Sequence, residues 1–458
     1  MAGQVSRVRD RFAGMAVNKL ENTLSGWVAF PGGFGEGKRV RLFPPPKMFW
    51  LFLSQVLERD GSCRESLRRF QAGLFRESRR TSSASTAGYC KARLKLRSGE
   101  IREISGEIAG RMGKACPWSW RGRQVKVVDG TGISMPDSPD NRQTWPLSNR
   151  SSEGCGFPVM RMVAVFSLAT GALIDLAHGS LRVHERTLCR SLWDTLESGD
   201  VLLGDRGFCG FADFFLLKLK GVDCVMRKHG RRINSGVIRK ISRRDRIVEW
   251  RKTGIIPKWL DRNEWEAMPQ TMAVREVEVT VQNPGFRTRK VFVVTTLLDE
   301  KRYPAASISE LYRKRWRVEL YFRDIKITLS MDILKCKTPA MIETELWMKV
   351  VAYNLIRAVI MEAALKHGVP IESLSFKGTI STILAWPMDY LMRNNRKYLS
   401  KAFEAMFAYI VADKVPRRTD RTEPRARKRR PKNYQLLNKS RKTFHEISHK
   451  NRYRKLLS

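Results

Sequence analysis

Residues 311–326 read LYRKRWRVELYFRDIK. At 3.6 residues per turn, four polar side chains of this stretch fall within roughly a 60° arc of a helix: Tyr312, Arg315, Glu319 and Lys326. A separate arc holds apolar side chains that would face a core: Leu311, Val318, Phe322, Ile325 and Leu329. The pattern predicts a long helix from about Ser307 to Ser330. One side of it would be buried, and the other would present a phenol, a guanidinium, a carboxylate and an ammonium group.

Two carboxylates upstream follow short apolar runs that predict β-strands. Residues 125–128 lead to Asp129, and residues 201–203 lead through Gly204 to Asp205. Carboxylates at strand ends in a twisted sheet can converge on one point, and a hard cation such as Mg²⁺ prefers oxygen ligands of this kind. Taken alone the signal is weak, because an Asp after a strand is more often a turn or helix-cap residue than a ligand.

The polar side of the predicted helix suits a phosphodiester reaction. Glu319 would complete an Asp-Asp-Glu cage for two cations, one activating the attacking water or 3′-hydroxyl and the other stabilising the leaving oxygen. Arg315 and Lys326 would hold nearby phosphates, and Tyr312 would donate to a phosphate oxygen. The same spacing equally fits a solvated helix face with an Arg315–Glu319 ion pair, so that alternative stays open.

The charge of the chain points to a polyanionic partner. Its 458 residues include 86 Lys and Arg against 45 Asp and Glu, a formal net charge of +41. Residues 1–115 carry +12, residues 116–415 carry +16 and residues 416–458 carry +13. This excess favours nucleic acid as the partner, and the tail is expected to attract phosphate without reading sequence, unless it serves solubility alone. The composition excludes a collagen, a small disulfide scaffold and a typical acidic metabolic enzyme.

Cysteine and membrane signals are weak. The eight cysteines are scattered without a CxxC pair and only six histidines accompany them, which argues against a zinc site. No signal peptide is recognisable, and Lys349, Arg357 and Glu362 interrupt the most apolar segment, Leu346–Leu365, which therefore predicts a buried amphipathic helix. The sequence predicts a cytoplasmic, nucleoid-associated protein with reduced thiols and no membrane partner.

The order of predicted elements divides the chain into six segments. Helical patterns prevail at both ends and strands in the middle, while residues 230–285 combine many Arg and Trp with alternating patterns that predict a β-rich insertion. The segments are a helical region at 1–115, a first core part at 116–229, the insertion at 230–285, a second core part at 286–345, a helical region at 346–415 and the basic tail at 416–458. Further predicted elements are strands at Met160–Leu168, Ala172–Ala177, Cys224–Met226 and Lys290–Leu298, and helices at Glu185–Leu196 and Phe211–Leu219.

The spacing Tyr-x2-Arg-x3-Glu-x6-Lys resembles the YREK signature of bacterial insertion-sequence-4 type transposases, and all four positions match. The blocks around the two aspartates are similar to that family as well: VDGT at 128–131 and GDRGF at 204–208. Further similar blocks lie at 55–57, 88–93, 295–299, 338–339 and 428–434, so the resemblance spans most of the chain.

The resemblance implies an α/β fold: an RNase H-like catalytic core with a β-rich insertion domain, flanked by helical N-terminal and C-terminal regions. The first Asp would end the first strand, two antiparallel strands would follow, the second Asp would end the fourth strand, and the Glu would lie on a helix. The 114-residue interval from Asp205 to Glu319 matches an inserted domain. The resemblance assigns catalysis and metal binding to Asp129, Asp205 and Glu319, and phosphate contacts at the transposon end to Tyr312, Arg315 and Lys326.

The activity implied by the resemblance is cut-and-paste transposition. Cleavage at terminal inverted repeats would use Mg²⁺, with Mn²⁺ able to substitute, and the freed 3′-hydroxyl would be joined to target DNA. The partners would be double-stranded DNA, from both the transposon ends and the target, and a second copy of the chain in a synaptic dimer. Residues 1–115 would bind the transposon ends, but no helix-turn-helix identifies base-reading residues.

Two alternatives stay open: another RNase H-like nuclease, such as a resolvase or RNA-directed nuclease, and a catalytically idle DNA-binding protein derived from a transposase. The YREK spacing argues against the first and the intact triad against the second. Relatives hold a flipped base with an aromatic side chain of the insertion. Trp250, Trp259 and Trp265 lie in that region, yet no spacing selects one of them, and a structural role fits each.

Overall fold

The protein is represented by a computed structural model. The structure describes residues 15–34, 42–58, 61–76, 83–147, 156–230, 236–281, 289–386, 396–415 and 443. The basic tail predicted at 416–458 therefore lies outside the described residues, apart from Thr443.

The middle of the described chain forms a nine-stranded sheet. Its strands are β1, Val125–Ser134; β2, Val159–Ser167; β3, Leu173–Ser180; β4, Val201–Gly204; β5, Asp223–Arg227; β6, Gly236–Ser242; β7, Asp245–Arg251; β8, Thr271–Val281; and β9, Arg289–Thr295. Their order across the sheet is β3-β2-β1-β4-β5-β9-β8-β7-β6. β1, β2 and β3 are antiparallel neighbours, whereas β4 lies parallel to β1 and β5 parallel to β4. The predicted α/β fold with an RNase H-like core is thereby confirmed.

Helices precede, connect and follow these strands. Before the sheet come α1, Met15–Leu24; α2, Pro45–Leu57; α3, Cys63–Arg76; α4, Ala87–Arg93; and α5, Ser98–Ala115. Within it come α6, Pro139–Thr144; α7, Glu185–Arg190; α8, Phe211–Leu219; and α9, Arg262–Ala267. After it come α10, Ala305–Lys314; α11, Arg317–Arg323; a π turn, Asp324–Thr328; α12, Pro339–Lys366; α13, Phe376–Ala385; and α14, Arg396–Ala412.

The sheet separates two apolar cores. Val125 and Val127 belong to one core and Val128 to the other, because successive side chains of a strand alternate between faces. The first core is shared with the N-terminal helices and α12, and the second with α7, α8 and part of the insertion. Asp129 follows this alternation onto the face that α11 and α12 cover.

Helix α12 runs through the first core and is buried over most of its length. Its two buried cations are satisfied by carbonyl oxygens: Lys349 Nζ donates to Leu329 O at 2.8 Å, and Arg357 Nη2 donates to Thr170 O at 3.2 Å. The buried helix predicted over Leu346–Leu365 is confirmed. Among the described residues, no helix is both long and apolar enough to span a membrane.

The strands of the insertion extend the sheet of the core. β9 pairs antiparallel with β5 and β8 pairs with β9, so β6, β7 and β8 continue outward from the core strands. A buried ion pair joins two of them, with Arg275 Nε donating to Asp245 Oδ1 at 2.7 Å. Arg275 Nη1 also donates to Tyr303 O at 2.7 Å. The insertion is therefore bonded to the loop that precedes α10.

Three predicted elements differ from the structure. Asp129 does not end β1, because pairing with β2 continues to Ser134 while pairing with β4 stops at Val127. The long helix predicted from Ser307 to Ser330 is wrong in its continuity. The chain tightens into i→i+3 turns around Arg315 and widens into the π turn at 324–328. The helix predicted over Glu185–Leu196 is shorter, ending at Arg190 before a 3-10 turn at Trp193–Thr195.

Candidate active site

The two aspartates lie on neighbouring parallel strands. Asp129 sits two residues beyond the last β1 residue paired with β4, and Asp205 directly follows β4. Because parallel strands present their carboxyl ends at the same edge of a sheet, both carboxylates lie at that edge. Their proximity is electrostatically evident, since the negative charge of Asp205 raises the pKa of Asp129.

The loop that follows β4 fixes Asp205. Asp205 Oδ1 accepts a hydrogen bond from Gly207 N at 2.6 Å, and Arg186 Nε on α7 donates to Gly207 O at 2.7 Å. Sequence reasoning missed Arg186, because it lies 19 residues upstream of Asp205 in a short helix without a recognisable motif. Only the packing of α7 against the sheet brings the two segments together.

The space beside Gly130 is occupied by the side chain of Glu185. A Cβ atom at Gly130 would lie 2.8 Å from Cδ of Glu185, so any larger residue would displace that side chain. Glu185 also faces Arg161 at 3.8 Å. The carboxylate of Glu185 thus approaches β1 from the face opposite Asp129, which sequence reasoning did not foresee.

The four YREK residues occupy four different local structures. Tyr312 lies in the last turn of α10, Arg315 in the tight turn, Glu319 in α11 and Lys326 in the π turn. The uniform helical period used for the sequence prediction therefore does not hold between 312 and 326. The convergence of these residues depends instead on the tight turn and on contacts with β1.

Arg315 connects two of the three candidate catalytic carboxylates. Its Nη1 lies 3.6 Å from Asp129 Oδ2, and its Nη2 lies 3.2 Å from Glu319 Oε1. The i,i+4 pair with Glu319 is the one that a solvated helix face would show, but the contact with Asp129 goes beyond it. Asp129 and Glu319 therefore face one guanidinium from two different elements of the fold.

Burial dominates the electrostatics of Asp129. Desolvation raises its pKa from 3.8 to about 6; the Gly130 N–H and Arg315 oppose this rise, whereas the charges of Asp205 and Glu319 add to it. The negative charges of Asp205 and Glu319 thus both repel that of Asp129. Such repulsion among oxygen donors is the situation that a bound cation offsets.

Tyr312 and Lys326 lie near the candidate catalytic carboxylates. Burial raises the pKa of Tyr312. The Tyr312 hydroxyl interacts with Arg315, and the charges of Arg227 and Asp205 also act on it. Lys326 Nζ donates to Thr131 Oγ1 at 3.0 Å and to Gly132 O at 2.9 Å. The structure thus places the Lys326 ammonium on the extension of β1 beyond Asp129, a contact that the helical pattern did not reveal.

The donor set fits a hard divalent cation. Asp129, Asp205 and Glu319 supply carboxylate oxygens alone, which suits Mg²⁺ or Mn²⁺ and not zinc. In the part of the chain that the structure describes, no three Asp, Glu, His or Cys side chains are gathered closely enough to hold an ion as they stand. Carboxylate rearrangement would therefore have to accompany metal binding.

The tryptophans of the insertion have distinct environments. Trp250 is fully buried in the second core, and Trp265 is 5% exposed. Trp259 is partly buried, with the Arg190 guanidinium 3.5 Å from its ring centre. Trp250 therefore has a structural role, whereas Trp259 and Trp265 border a cavity of about 320 Å³.

We expect Asp129→Asn to stabilise the metal-free protein at neutral pH. The folded protein holds this proton more tightly than the unfolded chain, with a pKa of about 6 against 3.8, so stability decreases as pH rises through this window. Removing the charge should raise the free energy of unfolding at pH 7.5 by about 2 kcal/mol, and by far less at pH 4.

The measurement is urea denaturation in EDTA at both pH values. Asp194→Asn is the matched control, because the Asp194 side chain is fully exposed and should leave the free energy of unfolding unchanged. An Asp129→Asn protein that is less stable than the parent at pH 7.5 would show that burial does not penalise this charge.

Comparison with known proteins identifies a matching family model and several similar proteins. Residues 120–355 match the family model described as "Transposase DDE domain". The chain is 26% identical over 405 residues to transposase InsG for insertion sequence element IS4 of Escherichia coli K12, covering 86% of this chain and 88% of that protein. It is 23% identical over 257 residues to the putative transposase y4zB of Sinorhizobium fredii, covering 56% and 66%. Among solved structures, the piggyBac transposase synaptic complex with hairpin DNA aligns over 91% of this chain and 86% of that one, with 9% identity and a TM-score of 0.39.

Proposed function

The chain belongs to the transposase DDE domain family, as an insertion-sequence transposase of the insertion-sequence-4 type, and we propose that it moves its element by metal-dependent cleavage and strand transfer. The reaction would cut at the terminal inverted repeats and join the freed 3′-hydroxyl to target DNA, by a cut-and-paste route. The observation that supports this mechanism is the approach of Asp129, Asp205 and Glu319 to one site from β1, the β4 loop and α11.

Mg²⁺ is the proposed cation, with Mn²⁺ as a substitute, held by the three carboxylates. The chemistry that such a cation supplies when bound is activation of a water or 3′-hydroxyl and stabilisation of the leaving oxygen. Arg315 would exchange partners during the reaction, because its guanidinium contacts Asp129 and Glu319 and a phosphate would offer it a bidentate alternative. Arrival of DNA would thereby release two carboxylates for ligation.

Tyr312 and Lys326 would contact phosphates at the transposon end. The Tyr312 hydroxyl already interacts with Arg315, so both would meet the same strand. The Lys326 ammonium group contacts β1 next to the site, where its positive charge would favour a phosphate passing the carboxylates. These two roles follow from position and charge, and they complement the metal site without replacing it.

Double-stranded DNA is the proposed partner, at the transposon ends and at the target. A net charge of +41 favours binding to a polyanion, and it makes that binding strongly salt-dependent. We propose that residues 1–115 bind the transposon ends and that two copies of the chain form the synaptic complex. The division into the six segments predicted from the sequence belongs to this proposal.

Cleavage of DNA that carries the terminal inverted repeats flanking the gene tests the proposed function. With Mg²⁺, the purified full chain should produce 3′-hydroxyl ends at the repeat boundaries and joined products with a target plasmid, whereas EDTA should abolish both. A fragment with scrambled repeats is the matched control and should stay intact.

Two other results would select the alternative functions. Cleavage of branched or RNA-guided substrates without regard to the repeats would indicate another RNase H-like nuclease. Tight binding to the repeats without cleavage in either Mg²⁺ or Mn²⁺ would indicate a catalytically idle DNA-binding protein.

A further inference from the structure

A cavity of about 700 Å³ lies between the N-terminal helices and the segment that follows the π turn. Its walls come from α2, the start of α3, the end of α4, the turn at 327–330, α12 and α13. None of the candidate catalytic residues or YREK residues lines it. The cavity is therefore separate from the site described above, although the π turn that carries Lys326 borders both.

Arg93 brings a partly buried guanidinium to this cavity, over the rings of Phe52 and Tyr89 and without a carboxylate partner among the described residues. Its guanidinium donates to Gln55 Oε1 at 3.2 Å and to the sulfur atoms of Cys63 at 3.6 Å and Cys336 at 3.7 Å. Its Nε is buried and has no hydrogen-bond partner. Sulfur is a weak acceptor, and burial raises the pKa of the Cys336 thiol, so that group stays neutral. A partly buried cation in such surroundings favours an anionic ligand.

The other charged groups lining the cavity strengthen this preference. Lys335, Lys349 and Lys377 are the further cations, and Glu58 and Glu345 the only carboxylates among the described lining residues. Both carboxylates are engaged: Glu58 pairs with Arg69, and Glu345 accepts the backbone N–H groups of Lys335 and Cys336. Four cations and two carboxylates thus line the cavity, so its lining carries an excess of positive charge.

The backbone at the rim of the cavity is strained. Ser330 lines the cavity with φ of 51°, in the left-handed region that a non-glycine residue rarely adopts. Ser330 lies two residues beyond the π turn, which is itself an uncommon structure often found at functional sites. A residue keeps such a strained backbone conformation only where the surrounding structure holds it there. Residues of this kind are concentrated at ligand sites, among other places.

We infer that this cavity binds a nucleotide, with its phosphate at Arg93 and its base against the apolar wall. The volume far exceeds that of a phosphate ion and falls in the range of small-molecule sites. Ile327 and Ile380 line the same cavity, and Ile327 is 56% exposed. An apolar surface that a base could contact therefore lies beside the cations. The nucleotide is either free in solution or an unpaired unit of a DNA strand, since both present the same phosphate and base.

Binding of dATP and of DNA to the full chain tests this inference. The measurements use the Glu319→Gln background in EDTA, so that neither catalysis nor metal binding contributes, and they compare dATP, inorganic pyrophosphate and a duplex with a three-nucleotide 5′ overhang. Lys377→Glu reverses a charge at the exposed mouth of the cavity and should weaken binding at least about tenfold. Lys401→Glu is the matched control, because Lys401 is exposed on α14 outside the cavity.

Each outcome discriminates. If Lys377→Glu loses dATP binding and Lys401→Glu keeps it, the ligand is a free nucleotide. If Lys377→Glu loses binding of the overhang duplex, Lys401→Glu keeps it, and dATP does not bind, the ligand is a unit of a DNA strand. Arg93→Gln should abolish the same binding, and Lys377→Glu decides the matter if Arg93→Gln does not fold. No saturable binding of either probe, equal losses in both lysine variants, or pyrophosphate binding as tight as that of dATP would overturn the inference.

Discussion

We expect Glu319→Gln to abolish the proposed strand cleavage at the transposon ends, lowering the rate at least about 10³-fold, because a metal ligand would supply several kcal/mol of transition-state stabilisation. Glu319 is half-buried and glutamine has the same shape, so the fold is retained. Asp205→Asn has the same effect, since Asp205 follows β4 on the same edge of the sheet. The measurement is the rate of end cleavage in Mg²⁺, with DNA binding followed in parallel in EDTA.

Glu310→Gln is the matched control for this experiment. Glu310 is an exposed carboxylate on α10, nine residues upstream of Glu319, and its partner is Lys314 at 2.9 Å. Its replacement should leave cleavage within about twofold, as exposed i,i+4 pairs contribute little. Cleavage at the parental rate by Glu319→Gln, with DNA binding intact, would remove Glu319 from the proposed metal site.

Arg275→Met destabilises the protein by about 3–5 kcal/mol, because it leaves the buried carboxylate of Asp245 uncompensated. The exposed fraction of the Arg275 side chain is 0% and that of Asp245 is 4%. The substitution also removes the hydrogen bond to Tyr303 O, which ties the insertion to the loop before α10. The measurement is urea denaturation at neutral pH, combined with the cleavage assay.

A double substitution separates the cost of the unpaired charge from other effects. Arg275→Met with Asp245→Leu removes both charges and should recover most of the lost stability, since replacing a buried ion pair by apolar groups is often neutral. Arg275→Lys should recover only part, because lysine lacks the bidentate fork. Equal stability of the two Met-containing variants would show that the loss arises from packing and not from the orphaned carboxylate.

The strands of the core could be predicted from local sequence, whereas their connections could not. β2 and β3 coincide closely with the predicted runs because apolar residues are concentrated on both sides of the turn residues at Ala169–Gly171. The extension of β1 to Ser134 was missed, since Gly130 and Gly132 suggest a turn locally. Pairing with β2 keeps that segment extended, and no local signal reports such a partner.

In the candidate site, too, local spacing could be read from the sequence whereas tertiary contacts could not. The spacing of Tyr312, Arg315 and Glu319 predicts one face of a continuous helix, and the structure instead divides these residues among α10, a tight turn and α11. The assignment of catalytic roles to the three carboxylates stays a prediction until the substitutions above are measured. The contact of Arg186 with the loop after Asp205 depends on tertiary packing, so it could not be predicted from residue spacing.

The nine-stranded sheet also sets the order in which the protein is completed during synthesis. The β1–β3 meander involves neighbouring segments and can pair as soon as it leaves the ribosome, whereas Val225 on β5 must wait for Thr295 on β9, 70 residues later. Glu319 emerges only after that pairing becomes possible. A chain interrupted within the insertion therefore carries both aspartates on paired strands but lacks the third carboxylate. Under the proposed mechanism, such translation fragments would be unable to cut the genome that encodes them.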